Sequence, residues 1–228
     1  MIHLVGIGPG DPELLTIKAA RLLGEADIIY VPQSNYEGRS VSDGIIAPHA
    51  NPDKIRHVAI SMRSPERGTD PAYARLAEEM AEHGLHGRRI VYVSLGDTLL
   101  YSTAQYLGRE LDTLGVPHAY VPGIPSFTAA ASYGRVPLAA GREGLVVHVM
   151  PDSLEKLAEL ASCCDTMALL KVNKRMPVLM EYIRRHSPAR AVLLHRIGLD
   201  NEAAYELTAS SETPEDVGYL SIAIIRQR

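Results

Sequence analysis

The sequence lacks several features that would have pointed to particular classes of protein. It has only two cysteines in 228 residues. These are the neighbours Cys163 and Cys164, so they cannot form an ordinary structural disulfide or supply a metal-binding set. No apolar run approaches the roughly 20 residues that a membrane-spanning helix needs, and no basic region followed by an apolar export segment opens the chain. We therefore expect a cytoplasmic protein with reduced thiols that does not enter a membrane.

The chain also lacks an excess of positive charge. It has 23 lysines and arginines against 27 aspartates and glutamates, and its formal net charge is −4. Proteins that bind nucleic acid neutralise phosphates with clustered basic residues, so we do not expect nucleic acid as the main partner. The nine histidines are scattered without the spacing of metal ligands, and we expect no metal held by the protein.

What is present is the composition of an ordinary globular protein, with 46% hydrophobic and 22% charged residues. In the first half, short apolar runs alternate with longer helical patterns, which is typical of a parallel sheet built from βαβ units. The predicted strands are Ile2 to Ile7, Ile28 to Val31, Ile55 to Ile60 and Ile90 to Ser94. The apolar stripes of the predicted helices are Leu15, Ala19, Leu22 and Leu23; Tyr73, Leu76, Ala77 and Met80; and Ala104, Leu107, Leu111 and Leu114.

The pattern breaks at Tyr120-Val121-Pro122-Gly123, which predicts a domain boundary there. We therefore expect two α/β domains, an N-terminal one over 1–120 with a parallel-rich sheet and a C-terminal one over 121–228 with a mixed sheet. The strands predicted in the second domain are Leu145 to Met150, Met167 to Val172, Val192 to His195, Ala203 to Leu207 and Leu220 to Ile225. The last two follow one another closely, so we expect them to pair antiparallel at an edge of that sheet.

A glycine-rich turn follows the first predicted strand. Glycines at 6, 8 and 10 permit a tight bend and close approach to the main chain. Asp11 is a natural N-cap, and Pro12 suits the first helical position. The segment predicts either a cradle for a nucleotide or cofactor, or only a tight connection between a strand and a helix.

Two further turns resemble the first in placing glycine before a helix. One is Leu95 to Thr103, which presents a carboxylate, three hydroxyls and a phenol, and the other is Val121 to Ala129. Each could be an ordinary helix cap. Two turns at one sheet edge and a third at the domain junction together indicate a shared ligand cleft.

The order of these turns resembles that of the tetrapyrrole (corrin/porphyrin) methylases, which use S-adenosylmethionine. The resemblance runs the length of the chain. The strings Leu100 to Thr103 and Ser126 to Ala131 are most similar to those of the enzymes that methylate C-20 of precorrin-2 or of its cobalt-bearing counterpart, cobalt-factor II. Two departures from the family pattern are Thr98, where proline is common, and Pro125, where threonine or serine is common. The segments that carry the resemblance are Val5 to Pro12, Gly96-Asp97, Leu100 to Thr103, Val121 to Ile124 and Ser126 to Ala131.

This resemblance implies a two-domain homodimer that holds S-adenosylmethionine in the cleft between the domains and releases S-adenosylhomocysteine. It implies cofactor contacts at Pro9, Gly96, Asp97, Thr98, Leu100, Ser126, Phe127 and Thr128. In the second domain it implies contacts at Lys171, Val172, Ile197, Ser221 and Ile222, which could equally be ordinary strand ends. Asp97 and Tyr101 are candidate bases for removing a proton from the methylated carbon. Asp97 could instead serve the cofactor or cap a helix, and proton loss to solvent with no dedicated base is an equal alternative.

The implied substrate is a tetrapyrrole polycarboxylate, whose side chains arginine and lysine would anchor through charge-assisted hydrogen bonds. The candidate anchors are Arg39, Arg63 and Arg67 on two irregular loops, and Lys174 and Arg175 in the second domain. Any of them could be a solvated surface charge.

Three other functions compete. A methylase of the same superfamily could act on another tetrapyrrole carbon, on a modified histidine or on ribosomal RNA. A dinucleotide-dependent oxidoreductase could use the first glycine turn, although the third glycine of that fingerprint is missing because Asp11, Pro12 and Glu13 follow Gly10. A non-catalytic tetrapyrrole carrier is the third alternative.

Overall fold

A computed structural model describes residues 1–33, 40–60, 70–214 and 217–228. The chain divides into two compact units, Met1–Pro125 and Ser126–Arg228. Each unit contains its own sheet with its own helices. This confirms the prediction of two α/β domains.

The described residues of the first unit form a five-stranded sheet in the order β3-β2-β4-β1-β5. Every neighbouring pair is parallel, and β1 lies between β4 and β5. The strands are β1 (Ile2–Gly6), β2 (Ile28–Gln33), β3 (Ile55–Ala59), β4 (Ile90–Ser94) and β5 (His118–Val121). The helices are α1 (Ile17–Glu25), α2 (Val41–Ile46), α3 (Pro71–Leu85) and α4 (Ala104–Thr113). Because all five strands are parallel, their carboxyl ends share one edge of the sheet, as the sequence predicted for the first four.

Strand β5 is absent from the sequence prediction. It has four residues, and only Val121 among them is fully buried. A short strand at the edge of a sheet carries no strong alternation of apolar and polar residues, so its sequence is not distinctive. Its pairing with β1, from Ile2 opposite His118 to Val5 opposite Val121, brings the turn at Gly123 to the turn at Gly6.

Two details of the predicted helices are wrong. Asp11 and Pro12 begin only a short 3-10 helix, Pro12–Leu14, and the α-helix begins later with Thr16 as its N-cap, whose hydroxyl accepts from the Ala19 amide. On α4, Ala104, Leu107 and Leu111 are buried as predicted, but Leu114 is 46% exposed. Leu114 is the C-cap of α4 and therefore lies beyond the turns that face the sheet.

Two buried tyrosines lie opposite each other on β2 and β4, where Tyr30 is in register with Tyr92. The Tyr30 hydroxyl donates to the Glu79 carboxylate at 2.6 Å. The Tyr92 hydroxyl is completely buried and has no hydrogen-bond partner among the described residues. Burial raises the pKa of both phenols above the ordinary value, so both remain protonated. The two tyrosines are therefore both buried, but only the Tyr30 hydroxyl of the pair has a hydrogen-bond partner among the described residues.

His3 on β1 is only partly buried. Burial lowers its pKa from the ordinary 6.5, and the positive charges of Lys18 and Arg21 lower it further. The folded first unit therefore favours the neutral imidazole.

The described residues of the second unit form a mixed five-stranded sheet in the order β6-β7-β10-β8-β9. Its strands are β6 (Leu145–Val149), β7 (Thr166–Leu170), β8 (Arg190–His195), β9 (Ala203–Glu206) and β10 (Ser221–Arg226). Its helices are α5 (Ser126–Tyr133), α6 (Leu154–Ser162) and α7 (Met176–His186). Among the described strands of this unit, β6 and β7 pair in parallel and the other neighbouring pairs are antiparallel.

The predicted pairing of the last two strands with each other is wrong. Strand β10 inserts between β7 and β8, and β9 pairs with β8 instead. Burial explains the choice, because Ile222, Ile224 and Ile225 of β10 are all buried, whereas β9 is exposed over most of its length. An apolar strand belongs in the centre of a sheet and a polar one at its edge.

Candidate active site

Three glycine-containing turns of the first unit meet at the carboxyl ends of β1, β4 and β5. Gly8 and Gly96 pair through their backbones: the Gly96 amide donates to the Gly8 carbonyl at 2.7 Å, and the Gly8 amide donates back to the Gly96 carbonyl at 3.2 Å. Both glycines have positive φ, 76° and 73°, a conformation that favours residues without a Cβ atom. The first two turns are thus joined directly.

The third turn packs against the other two at Gly123. A Cβ atom on Gly123 would lie 2.1 Å from the Gly96 carbonyl oxygen, and one on Gly6 would lie 2.6 Å from the Gly123 amide nitrogen. These distances are far below van der Waals contact, and the atoms met belong to backbone. At Gly6 and Gly123 glycine is therefore required because the chain turns approach one another.

The carboxylate of Asp97 connects two of these turns. Its Oδ1 accepts from the Leu99 amide at 2.9 Å, within its own turn. Its Oδ2 accepts from the Gly123 amide at 3.0 Å, across to the turn after β5. Both oxygens of this candidate base are therefore engaged by backbone N–H groups.

The rest of the turn after β4 combines buried and exposed side chains. Thr98 is buried, whereas Leu99 is 56% and Tyr101 46% exposed. Tyr101 has φ of 50°, a left-handed conformation that costs a residue with a Cβ about 1 kcal/mol or more. The turn ends at Ser102, whose hydroxyl accepts from the Ala104 amide at 3.1 Å and lies 2.6 Å from the Ser94 hydroxyl.

Among the other expected cofactor residues of the first unit, Pro9 is buried and Leu100 is half-buried.

The three turns together contain no lysine or arginine over residues 5–12, 95–103 and 121–129. Their charged groups are Asp11 and Asp97. The three turns therefore carry no cation.

In the second unit, the topology brings four of the expected residues to one edge of the sheet. Because β10 runs antiparallel to β7, its first residues Ser221 and Ile222 lie beside Lys171 and Val172 at the end of β7, where the Val172 amide faces the Ser221 carbonyl at 3.4 Å. Val172, Ser221 and Ile222 have buried side chains, so they can offer mainly backbone to a ligand. Lys171 is half-buried, with φ of 58°.

The remaining expected positions of this unit are Ile197, which is partly buried and packs against the core, and three residues at the start of α5. Ser126, Phe127 and Thr128 form its first turn and are half-buried, and Phe127 packs against the same core.

His195, the last residue of β8, lies beside the expected cofactor residue Ser221. Its Nδ1 lies 2.9 Å from the Ser221 hydroxyl, and that hydroxyl donates to the Gly218 carbonyl at 2.6 Å. Since the single hydroxyl proton is directed at Gly218, Nδ1 is the donor to Ser221. The sequence places His195 at the end of an apolar strand, but Ser221 is brought beside it only by the insertion of β10.

The expected substrate anchors are only partly described. Arg39, Arg63 and Arg67 lie outside the described residues. Lys174 is exposed. Arg175 forms an ion pair with Asp152, and its guanidinium lowers the pKa of that carboxyl.

Comparison with known proteins identifies the family. The family model of the tetrapyrrole (corrin/porphyrin) methylases matches residues 1–211. The chain belongs to this family. Its members use S-adenosylmethionine as methyl donor, and this confirms the resemblance read from the turns.

Two curated relatives show the range of this similarity. The cobalamin biosynthesis protein CobIJ of Mycobacterium bovis is 32% identical over 181 residues, which is 75% of this chain but only 35% of that protein. The chain therefore spans about a third of the length of this relative. The precorrin-2 C(20)-methyltransferase of a Sinorhizobium species is 28% identical over 97% of this chain and 93% of its own length.

Solved structures share the fold. The cobalt precorrin-4 methyltransferase CbiF has a TM-score of 0.76 at 21% identity and covers 98% of this chain and 93% of its own. The uroporphyrin-III C-methyltransferase of Thermus thermophilus, crystallised in complex with S-adenosylhomocysteine, has a TM-score of 0.68 at 22% identity, covering 99% and 97%.

The residues of the first unit fit the family's donor. S-adenosylmethionine has no phosphate group and carries a positive sulfonium, so its nucleoside needs close backbone contact and no basic side chain. The three joined turns provide backbone without cations. Over the described ranges, no group of three or more histidine, cysteine, aspartate or glutamate side chains is placed to hold a metal ion, and no helix is long and apolar enough to cross a membrane.

Proposed function

We propose that this chain is an S-adenosylmethionine-dependent C-methyltransferase that acts on C-20 of precorrin-2 or of cobalt-factor II in corrin biosynthesis. The observation that carries the proposal is the set of three joined glycine turns without a cation, in a chain that covers 93% of a relative named for this carbon and substrate. The strings around Leu100 and Ser126 support the same choice.

In this proposal the donor supplies an electrophilic methyl group, and the chain supplies position. Holding two reacting centres in line at contact distance can contribute about 7–11 kcal/mol to a rate. The backbone of the first-unit turns, at Pro9, Gly96 to Thr98 and Leu100, binds the nucleoside. Residues 126–128, 171–172, 197 and 221–222 of the second unit complete the donor contacts. These assignments are predictions.

Two further roles belong to the proposal. A proton must leave C-20 after methylation. The candidates to accept it are the half-exposed side chain of Tyr101, in its phenolate form, and solvent. Cations hold the substrate carboxylates, and the candidates are Arg39, Arg63, Arg67, Lys174 and Arg175. For Arg175 this requires exchange of its partner Asp152.

A cytoplasmic location and a homodimeric assembly complete the proposal. The location suits a biosynthetic methylase, and the dimer is what the family resemblance implies. Light scattering of the purified protein would test the dimer, and a single-protomer mass would refute it.

The first experiment measures donor binding. Isothermal calorimetry should show micromolar affinity for S-adenosylhomocysteine and none for NAD. Binding of the dinucleotide without the thioether would refute the proposal in favour of an oxidoreductase. Binding of the thioether with no turnover of any tetrapyrrole would favour a non-catalytic carrier.

The second experiment identifies the carbon. The protein is incubated with ¹³C-methyl-labelled S-adenosylmethionine and either metal-free precorrin-2 or cobalt-factor II, and the product is examined by NMR. The label should appear on C-20. The substrate that is methylated at the higher rate is identified as the natural one. Label on another carbon would favour the second candidate, a methylase of different regiospecificity. The cobalt precorrin-4 methyltransferase, which shares this fold, is named for a different substrate.

A further inference from the structure

The Asp97 carboxylate has a bonding pattern that an acid–base group would not need. One oxygen accepts from Leu99, two residues further on, and the other from Gly123, which is 26 residues further on. The local bond shapes the turn after β4. The distant bond fixes that turn against the turn after β5.

The packing around this hydrogen bond leaves no room for a side chain at Gly123. Gly123 approaches the Gly96 carbonyl so closely that a Cβ atom would lie 2.1 Å from it. Gly96 in turn pairs with Gly8 through two backbone hydrogen bonds. The Asp97 carboxylate thus joins the turn after β4 to the turn after β5 by a side-chain hydrogen bond, and the Gly8–Gly96 backbone pair joins the turn after β4 to the turn after β1.

We infer that Asp97 is a positioning residue, which acts through the Gly123 amide to set the spacing of the donor-binding turns, and that it is not the base of the reaction. The inference rests on the proposed function, because it assigns these turns to the methyl donor. A charge-assisted hydrogen bond to a backbone amide is among the stronger polar interactions in proteins, and here it connects segments that follow different strands.

The variant D97N tests the role directly. Asparagine has one acceptor oxygen, and its NH₂ group cannot accept, so whichever way the amide is oriented one of the two backbone bonds is lost. We expect the dissociation constant for S-adenosylhomocysteine and the KM for S-adenosylmethionine to rise roughly tenfold. The shape of the kcat pH profile should not change. D97A, which loses both bonds, should weaken binding further.

Asp165 provides a matched control in the second unit. Its carboxylate accepts from the Gly144 amide at 2.9 Å, so it also connects a glycine of another segment. It precedes β7 and therefore lies at the opposite end of that strand from Lys171. Asparagine can keep this one bond through its amide oxygen, so the control is D165A, which loses it. D165A should lower thermal stability, as D97A does, while leaving the affinity for S-adenosylhomocysteine unchanged.

Three results would separate the possibilities. If wild type binds S-adenosylhomocysteine and D97N binds it equally well, the positioning role is wrong. If kcat falls at constant KM and one limb of the pH profile disappears, Asp97 is the base and the inference is overturned. If wild type itself does not bind S-adenosylhomocysteine, the proposed function fails first.

A measurement on the wild-type protein covers the case in which D97N does not fold. Amide hydrogen exchange followed by NMR should show the Gly123 proton strongly protected, although Gly123 lies in a turn outside β5. Added S-adenosylhomocysteine should slow its exchange further. Rapid exchange of this proton in the wild-type protein would overturn the inference.

Discussion

The close approach of three backbone turns at Gly123 makes Gly123→Ala the most informative substitution. The added methyl group would lie 2.1 Å from the Gly96 carbonyl oxygen, 2.8 Å from the Gly6 carbonyl carbon and 2.9 Å from the Gly6 Cα. All three atoms are backbone, so no side-chain rotation can relieve the overlap. The turns after β1, β4 and β5 must move apart.

The expected cost follows from the way packed interiors respond to extra volume. Overpacking costs about 1–3 kcal/mol when neighbours can shift, and here the neighbours are held by the Gly8–Gly96 pair and by the Asp97 bond to Gly123. We expect the upper half of that range, about 2–3 kcal/mol. For a domain of this size this corresponds to a fall in Tm of about 10 °C. Affinity for S-adenosylhomocysteine should fall with it, because the same turns hold the donor in the proposed function.

Gly44→Ala is the matched control. Gly44 is an exposed residue of helix α2, and a Cβ atom there would meet nothing within 4 Å. The same chemical change should therefore stabilise the protein, by about 0.5–1 kcal/mol, because alanine is the better helix former. Thermal unfolding by circular dichroism measures both variants. Equal Tm values for G123A and wild type would refute the argument that these glycines are fixed by contact between turns.

Three other substitutions test separate parts of the fold by urea denaturation. Removing the unsatisfied hydroxyl in Tyr92→Phe should leave stability unchanged or raise it by about 1 kcal/mol, whereas Tyr30→Phe loses a bond to a carboxylate and should cost about 1 kcal/mol; a loss at Tyr92 would contradict this. Leu111→Ala should lower the free energy of unfolding by about 2–5 kcal/mol, whereas Leu114→Ala should change it by less than about 0.5 kcal/mol. Similar losses for the two variants would show that both side chains lie in the core. Because the folded protein lowers the pKa of His3 below 6.5, its contribution to stability is complete above pH 6.5 and is lost as the pH falls below it. His3→Asn should therefore flatten the stability profile between about pH 7 and 5, and an unchanged slope would refute the assignment.

The sequence supplied most of the first sheet, because its central strands are continuous apolar runs. β1 and β4 are buried on both faces, and such strands are recognisable without tertiary information. The edge strand β5 was not, since His118 and Tyr120 interrupt its apolar character. In the second unit the strands were found, but their order was not. The place of β10 between β7 and β8 depends on which strand can fill the centre, and that is decided by all the strands together.

The sequence by itself determined the two α/β units, the three glycine turns and, through the order of those turns, the family. These are properties of short segments, since periodicity, capping and turn chemistry act over a few neighbouring residues. Only the tertiary structure decided that the glycines at 6 and 123 serve contact between turns, and that the Asp97 carboxylate reaches the Gly123 amide. Both depend on β5 pairing beside β1, which brings together residues that are more than a hundred positions apart. A pattern within a few neighbouring residues cannot specify a contact between segments so far apart in the sequence.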